Sequence, residues 1–330
     1  MQRDLSELIG RITAYAGLRD KRVIGLVSDA FGETDWLGGP GDDGAAVAWG
    51  PLSPSGIAQG GAEDDAGWVV ACGEALLPGF VARDPYGAGI AAVLTNVNDL
   101  AAMGARPTGL VNTIVADEVT AREILRGLRY GCDLYDVPLL GGHLTRHGGP
   151  PALSAFGLGR AEAVLSSTHV EEGHAVVLAG SLVGEMRPDF PFFAGFRQRE
   201  AEAPGDIRLL ATAAESGAAL AAKDVSMAGI VGSLAMLLEP GRWGAEVDLD
   251  RIPVPAGVDL ERWLTCFPNY LFLLTTPPER VEALRALFHE RALTAEVIGS
   301  VTGSGELALS WGGRREVAVD LRADTITGLR

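Results

Sequence analysis

The 330-residue sequence predicts a mixed α+β fold in two domains, 1–165 and 166–330. Three observations lead there. The length suits two hydrophobic cores better than one. Both halves alternate short apolar runs of strand length with segments whose apolar residues recur every three or four positions. Ser166-Ser167-Thr168 breaks the apolar pattern between the halves, and no repeat with a period of about 20–50 residues is present.

The elements follow in order. Leu5, Leu8, Ile9 and Ile12 share one face of a helix over 5–15. Residues 23–27 read as a strand; 28–66 is Gly-, Pro-, Ser- and Asp-rich loop with a strand at 45–48. Residues 68–71 form a buried strand, and 86–103, small and apolar, a packed helix that ends where Pro107 disfavours helical geometry in Arg106. A strand at 110–115 precedes a helix from Thr120 to about Tyr130, with Thr120 and Glu123 as its capping box. A short strand at 137–140 runs into Gly141-Gly142-His143-Leu144-Thr145, and 153–159 is another strand. The second half reads as strand 175–179, irregular 184–204, Ala-rich helix 206–222, helix 228–238, strand 271–275, helix 278–289 and strands 297–301 and 307–310.

Composition narrows the function. Twenty-seven basic residues against 43 acidic ones give a net charge of −16, which repels nucleic acid and anionic membranes. Between Asp29 and Asp99 stand eleven acids and one base, Arg83. Such a field repels a bare triphosphate and attracts divalent cations. The cysteines, Cys72, Cys132 and Cys266, are too widely spaced for a zinc knuckle or disulfide framework. Met1-Gln2-Arg3-Asp4-Leu5-Ser6-Glu7 carries no signal-peptide pattern, and no apolar run reaches about 18 residues. The expectation is a cytoplasmic protein with no nucleic-acid or membrane partner.

No Walker A loop, Gly-x-Ser-x-Gly elbow or His-Glu-x-x-His helix occurs. Four constellations remain. Asp42 and Asp43, in Gly41-Asp42-Asp43-Gly44, repel each other unless a cation lies beside them; they read as Mg2+ ligands or as a solvated turn. Asn96, Asn98 and Asp99 interrupt an apolar helix, a costly placement without partners, and read as a ligand site or a polar helix face. Gly141, Gly142, His143 and Thr145 offer backbone N–H groups and a hydroxyl to an anion, or form a plain turn. Lys223, Asp224 and Ser226 stand at a predicted helix start, as an anion site or as its N-cap.

In this order the four segments resemble the AIR synthase (PurM-like) superfamily, whose members include thiamine-monophosphate kinase, selenophosphate synthetase and a hydrogenase maturation factor. The block from Asp84-Pro85-Tyr86 through Asn98-Asp99-Leu100-Ala101-Ala102-Met103-Gly104-Ala105-Arg106-Pro107 carries most of the likeness. The resemblance implies a two-domain PurM-like fold, with an N-terminal sheet-and-helix domain joining a second copy in a homodimer barrel and a C-terminal α/β sandwich. It implies ATP and Mg2+ as cofactors and phosphoryl transfer to, or activation of, a small-molecule substrate. Carried over by position, Asp42, Asp43 and Asp99 are metal ligands. Asp42, Asn96, Asn98, Gly141, Gly142, His143, Thr145, Lys223 and Ser226 form the nucleotide-binding set. Asp43, Asp99 and Asp224 act in catalysis, with Asp224 on the substrate side.

The chain departs from thiamine-monophosphate kinases at three acids. Ala71-Cys72-Gly73-Glu74 stands where they carry an Asp, so that Glu74 is the substitute metal ligand; His143 replaces a second acid and Met227 a third. Thiamine-monophosphate kinase activity and a non-catalytic nucleotide-binding or sensor role are therefore the alternatives.

Overall fold

The computed structural model describes residues 4–32, 41–49, 67–188 and 190–329. Five of the eleven acids between Asp29 and Asp99, namely Glu33, Asp35, Glu63, Asp64 and Asp65, lie outside the described residues. The chain forms two compact units that do not follow a single cut. The five-stranded unit holds the described residues of Asp43–Val164 together with Glu200–Thr212. The seven-stranded unit holds the described residues up to Asp42, Leu165–Arg199 and those from Ala213 onward.

In the five-stranded unit, β1 (Ala45–Ala48), β2 (Trp68–Ala75), β3 (Arg106–Ala116), β4 (Leu139–Arg146) and β5 (Ala152–Ala161) are ordered β1-β2-β5-β3-β4. All neighbours are antiparallel except β3 and β4, which run parallel. A parallel pair needs a crossover, here the Glu118–Tyr135 helix. The Pro85–Ala102 helix lies on the same sheet and is buried on almost every side. Asp84 caps it by accepting from Gly87 N at 2.8 Å, and Pro85, which lacks an N–H, occupies its first turn. Glycines let the two helices meet closely: a Cβ on Gly89 would strike the Ile124 carbonyl, and one on Gly127 the Tyr86 carbonyl. The sheet core is Ala46, Val70, Leu100, Met103, Ala105, Ala161 and Val164.

In the seven-stranded unit, β6 (Ala175–Gly180), β9 (Ala221–Asp224), β10 (Gly244–Asp248), β12 (Leu271–Thr276), β13 (Thr294–Thr302), β14 (Glu306–Trp311) and β15 (Arg314–Asp320) are ordered β15-β14-β10-β13-β6-β12-β9. Between them in sequence, β7 (Glu185–Met186), β8 (Phe192–Ala194) and β11 (Phe267–Pro268) form a small sheet of their own. The Leu5–Ala14 helix buries Leu5, Leu8, Ile9 and Ile12 in the main core, which also takes Trp263 and the Gly229–Leu238 helix.

The structure is thus the mixed α and β fold that the alternation of patterns predicts. Several elements differ from their sequence reading, each for a tertiary reason. Residues 23–27 are not a strand: Asp20–Gly25 is a 3₁₀ turn and Leu26–Phe31 a helix. The β-branched run has no sheet to join, and Val23 and Leu26 stay 63% exposed. The predicted 206–222 helix contracts to Leu209–Glu215, because Gly217 (φ +65°) turns the chain and 221–224 pairs with β12 instead. Cross-strand pairing there overrides the helix propensity of alanine. Asp117, not Thr120, caps the Glu118–Tyr135 helix, accepting from Val119 N at 2.9 Å and Thr120 N at 3.0 Å. Residues 141–145 continue β4 rather than leave it as a loop.

Candidate functional site

The Pro85–Ala102 helix carries Asn96, Asn98 and Asp99 into the five-stranded unit, where each is less than a tenth exposed. Asn96 brackets helix to sheet: Nδ2 donates to Ala92 O at 2.8 Å and Ala155 O at 3.3 Å, and Oδ1 accepts from Cys72 Sγ at 3.3 Å. A side chain used this way positions its neighbours. Asn98 and Asp99 follow it in the last turns, and the helix ends at Met103 and Gly104 (φ +72°).

Asp43 stands just ahead of β1. One of its carboxylate oxygens and one of Asp99's lie within 4.8 Å of each other. Two anions at that distance repel, more strongly where water is scarce. The donor set, hard carboxylate oxygen, suits Mg2+ or a similar divalent cation.

Cys72 reports on the same corner. Strand alternation puts Val70, Cys72 and Glu74 on the helix-facing side of β2, with Val70 fully buried. Burial pushes the Cys72 thiol well up, and the charges of Asp99, Asp43 and Glu74 push it further, against a backbone hydrogen bond with Gly157 that acts the other way. The thiol therefore stays protonated, in the field of three carboxylates. Glu74 sits inside β2, paired with Ala155; the strand that the sequence reading ended at 71 runs on to Ala75. Cys72 itself was not among the sequence candidates. The signal that finds it is the period-two spacing of 70, 72 and 74.

The Gly141–Thr145 segment is placed differently. β4 is an edge strand with every residue exposed. Its register sets Gly141, His143 and Thr145 beside Val111, Thr113 and Val115, on the sheet face opposite Cys72 and Glu74. Gly142 alone of these points to the helix side, where a Cβ would strike Asn112. The structure does not bring His143 or Thr145 to Glu74 and Cys72.

The remaining candidates lie in the seven-stranded unit. Asp42 accepts from Ser166 Oγ at 2.6 Å and Ser167 N at 2.9 Å. Lys223 and Asp224 end β9 instead of opening a helix, with Lys223 Nζ 3.5 Å from Asp224 Oδ1 and both side chains largely buried. The next helix starts only at Gly229, with no side-chain cap. Ser226 contributes its backbone, N to Ser233 Oγ at 3.1 Å and O to Gly229 N at 2.9 Å. Met227 is 38% exposed. The nearby aromatic side chains Trp263 and Tyr270 are fully and nearly fully buried. Among the described residues, no helix is long and apolar enough to cross a membrane.

Known proteins share this architecture. An uncharacterised protein of Synechocystis sp. is 35% identical over 268 residues, covering 80% of this chain and 83% of its own length. The structure of T. maritima PurL complexed with ATP superposes with a TM-score of 0.68 at 20% identity, covering 84% of this chain; the chain spans about half of that protein, 47%. AaThiL complexed with AMPPCP and TMP superposes with a TM-score of 0.63 at 19% identity, covering 88% of this chain and 92% of that one. Residues 41–161 match the N-terminal domain of AIR synthase related proteins and residues 171–312 the C-terminal domain. The chain therefore belongs to the AIR synthase related family.

Proposed function

We propose that the protein is an ATP- and Mg2+-dependent enzyme that phosphorylates or activates a small-molecule substrate. The observation that carries this is the approach of the Asp43 and Asp99 carboxylates to within 4.8 Å, with Cys72 and Glu74 on the helix-facing side of β2. Phosphoryl transfer asks a protein mainly for positioning and charge neutralisation. Asp43 and Asp99 are the Mg2+ ligands in this reading, with Glu74 in support; the bound cation would neutralise triphosphate charge. Asn96 orients the end of the helix, Asn98 is a nucleotide contact, and the protonated Cys72 thiol adds no charge to an already anionic corner. Asp224, held by Lys223, is assigned to the substrate side. That assignment, and those of Gly141, Gly142, His143, Thr145, Lys223 and Ser226 to nucleotide, rest on the family alone. The nucleotide complexes of the PurL and ThiL relatives support the choice of cofactor.

We also assign a homodimer. Away from its helices the five-stranded sheet presents Val47, 56% exposed, and Phe156, 43% exposed, with Leu140 exposed on its edge strand. A bare apolar sheet face of this kind is a self-association surface.

The test is calorimetric binding of a non-hydrolysable ATP analogue with and without Mg2+, followed by ADP release across a panel of metabolites. Binding that needs Mg2+, with turnover on some acceptor that Asp43→Asn abolishes, is the expected result. Binding without turnover on any acceptor would favour the nucleotide-sensor reading that Met227 motivates, and no binding would remove both.

A further inference from the structure

Asp42 and Asp43 are adjacent acids that the sequence treats alike, yet their surroundings differ. Both oxygens of Asp42 are engaged within the seven-stranded unit, Oδ2 by Ser166 Oγ at 2.6 Å and Oδ1 by Ser167 N at 2.9 Å. The donors are built into the core: Ser166 is fully buried and Ser167 is 3% exposed. Ser166 has one hydroxyl proton, and its bond to Asp42 uses it. In its 2.9 Å contact with Thr168 Oγ1, Ser166 must then accept, as it also does from Thr168 N at 3.2 Å. The chain of donors is polarised toward the Asp42 carboxylate.

The turn that Asp42 clasps, Ser167–His169, is tied in turn to Leu220, through Ser166 N to Leu220 O at 3.4 Å and a 3.3 Å contact of His169 Nδ1 with the same oxygen. Leu220 N donates to Thr275 O at 3.1 Å and leads directly into β9. The Gly41–Asp42 corner is thus pinned to the sheet scaffold, and Gly41 (φ +112°) takes a backbone conformation open to glycine at that pin.

We propose that Asp42 is a positioning residue, not a metal ligand. Its carboxylate fixes the chain immediately ahead of Asp43, and Asp43 alone of the pair binds the cation. A cation drawing Asp42 away would strand a buried backbone N–H at Ser167, a costly loss. This proposal rests on the reading of Asp43 and Asp99 as the divalent-cation site.

The experiment uses the full chain, Mn2+ as the probe, and two readouts: calorimetric Mn2+ binding and thermal unfolding without metal. Asp42→Asn keeps an acceptor for Ser167 N, so Mn2+ affinity should stay within about threefold of wild type with unchanged stoichiometry. Asp42→Ala and Ser166→Ala should each lower the metal-free unfolding temperature and weaken Mn2+ by about three- to tenfold, and the double variant should fall short of additivity because both remove one interaction. Asp43→Asn should abolish Mn2+ binding without lowering the metal-free unfolding temperature. The proposal is overturned if Asp42→Asn loses Mn2+ as completely as Asp43→Asn, or if Asp42 and Ser166 are fully additive in metal-free unfolding. If wild type binds no Mn2+, the functional reading fails, while the metal-free double-variant cycle still decides whether the tether exists.

Discussion

At the residue scale the central fact is that adjacent or nearby acids are not equivalent. Asp43 and Asp99 face one another within 4.8 Å, and without a cation that proximity is destabilising. Asp99→Asn should therefore raise the metal-free stability by on the order of 1 kcal/mol, and, if Asp99 is a Mg2+ ligand as proposed, added Mg2+ should stabilise wild type but not the variant. Differential scanning fluorimetry with and without Mg2+ reads both effects. Glu239 provides a second test. Its carboxylate is largely buried and accepts from Thr327 N at 3.2 and 3.1 Å. Burial pushes its pKa above the ordinary 4.5, and the Thr327 bonds only partly offset this. A carboxyl with a raised folded pKa stabilises most when protonated, and loses that contribution as pH rises through the folded value. Wild type should accordingly gain on Glu239→Gln as pH falls from 7 toward 4.5; a constant difference in unfolding temperature across that window would contradict the assignment.

At the element scale, the Pro85–Ala102 and Glu118–Tyr135 helices decide whether the site exists. Their caps were partly legible in sequence. Asp84 before Pro85 is a readable start, whereas Thr120 and Glu123 mimic a capping box three residues inside the true one at Asp117. Asp117→Ala should lower the midpoint of chemical denaturation, and Thr120→Val less, since only Asp117 holds the two backbone N–H groups. The glycines between these helices are stricter. Gly127→Ala would drive a methyl into the Tyr86 carbonyl and toward Gly89. The helices would have to separate, at a cost of about 1–3 kcal/mol, and Asp99 would move with its helix. Edge strands were the least legible elements. Residues 221–222 read as the end of a helix because their alanines favour one, and 221–224 becomes β9 because β12 offers a pairing edge that no local pattern announces.

At the scale of the whole molecule, the acidic charge and the exposed sheet face each make a prediction. A chelator should lower ATP affinity by more than about a hundredfold, since the carboxylates then face the triphosphate unscreened; indifference to chelator would contradict the metal assignment. Phe156→Asp places a charge on the open face of β5, beside Gly73. On the homodimer proposal, light scattering should report a dimer for wild type and a folded monomer for the variant, because the helix-side core is untouched.

Composition, hydrophobic period and four short motifs were enough to establish the fold class, the family and the acids worth testing. Those signals are local, and each residue carries its own copy of them. The division of labour among those residues came from the folded arrangement alone. Asp42 turns to Ser166 and Ser167, far along the chain; Cys72 joins Asp43, Asp99 and Glu74 because strand parity aims it under a helix; His143 and Thr145 fall on the other face of the same sheet. Such roles depend on hydrogen bonds between residues distant in sequence and on which face of a strand a side chain takes, and one-residue differences in register reverse that face.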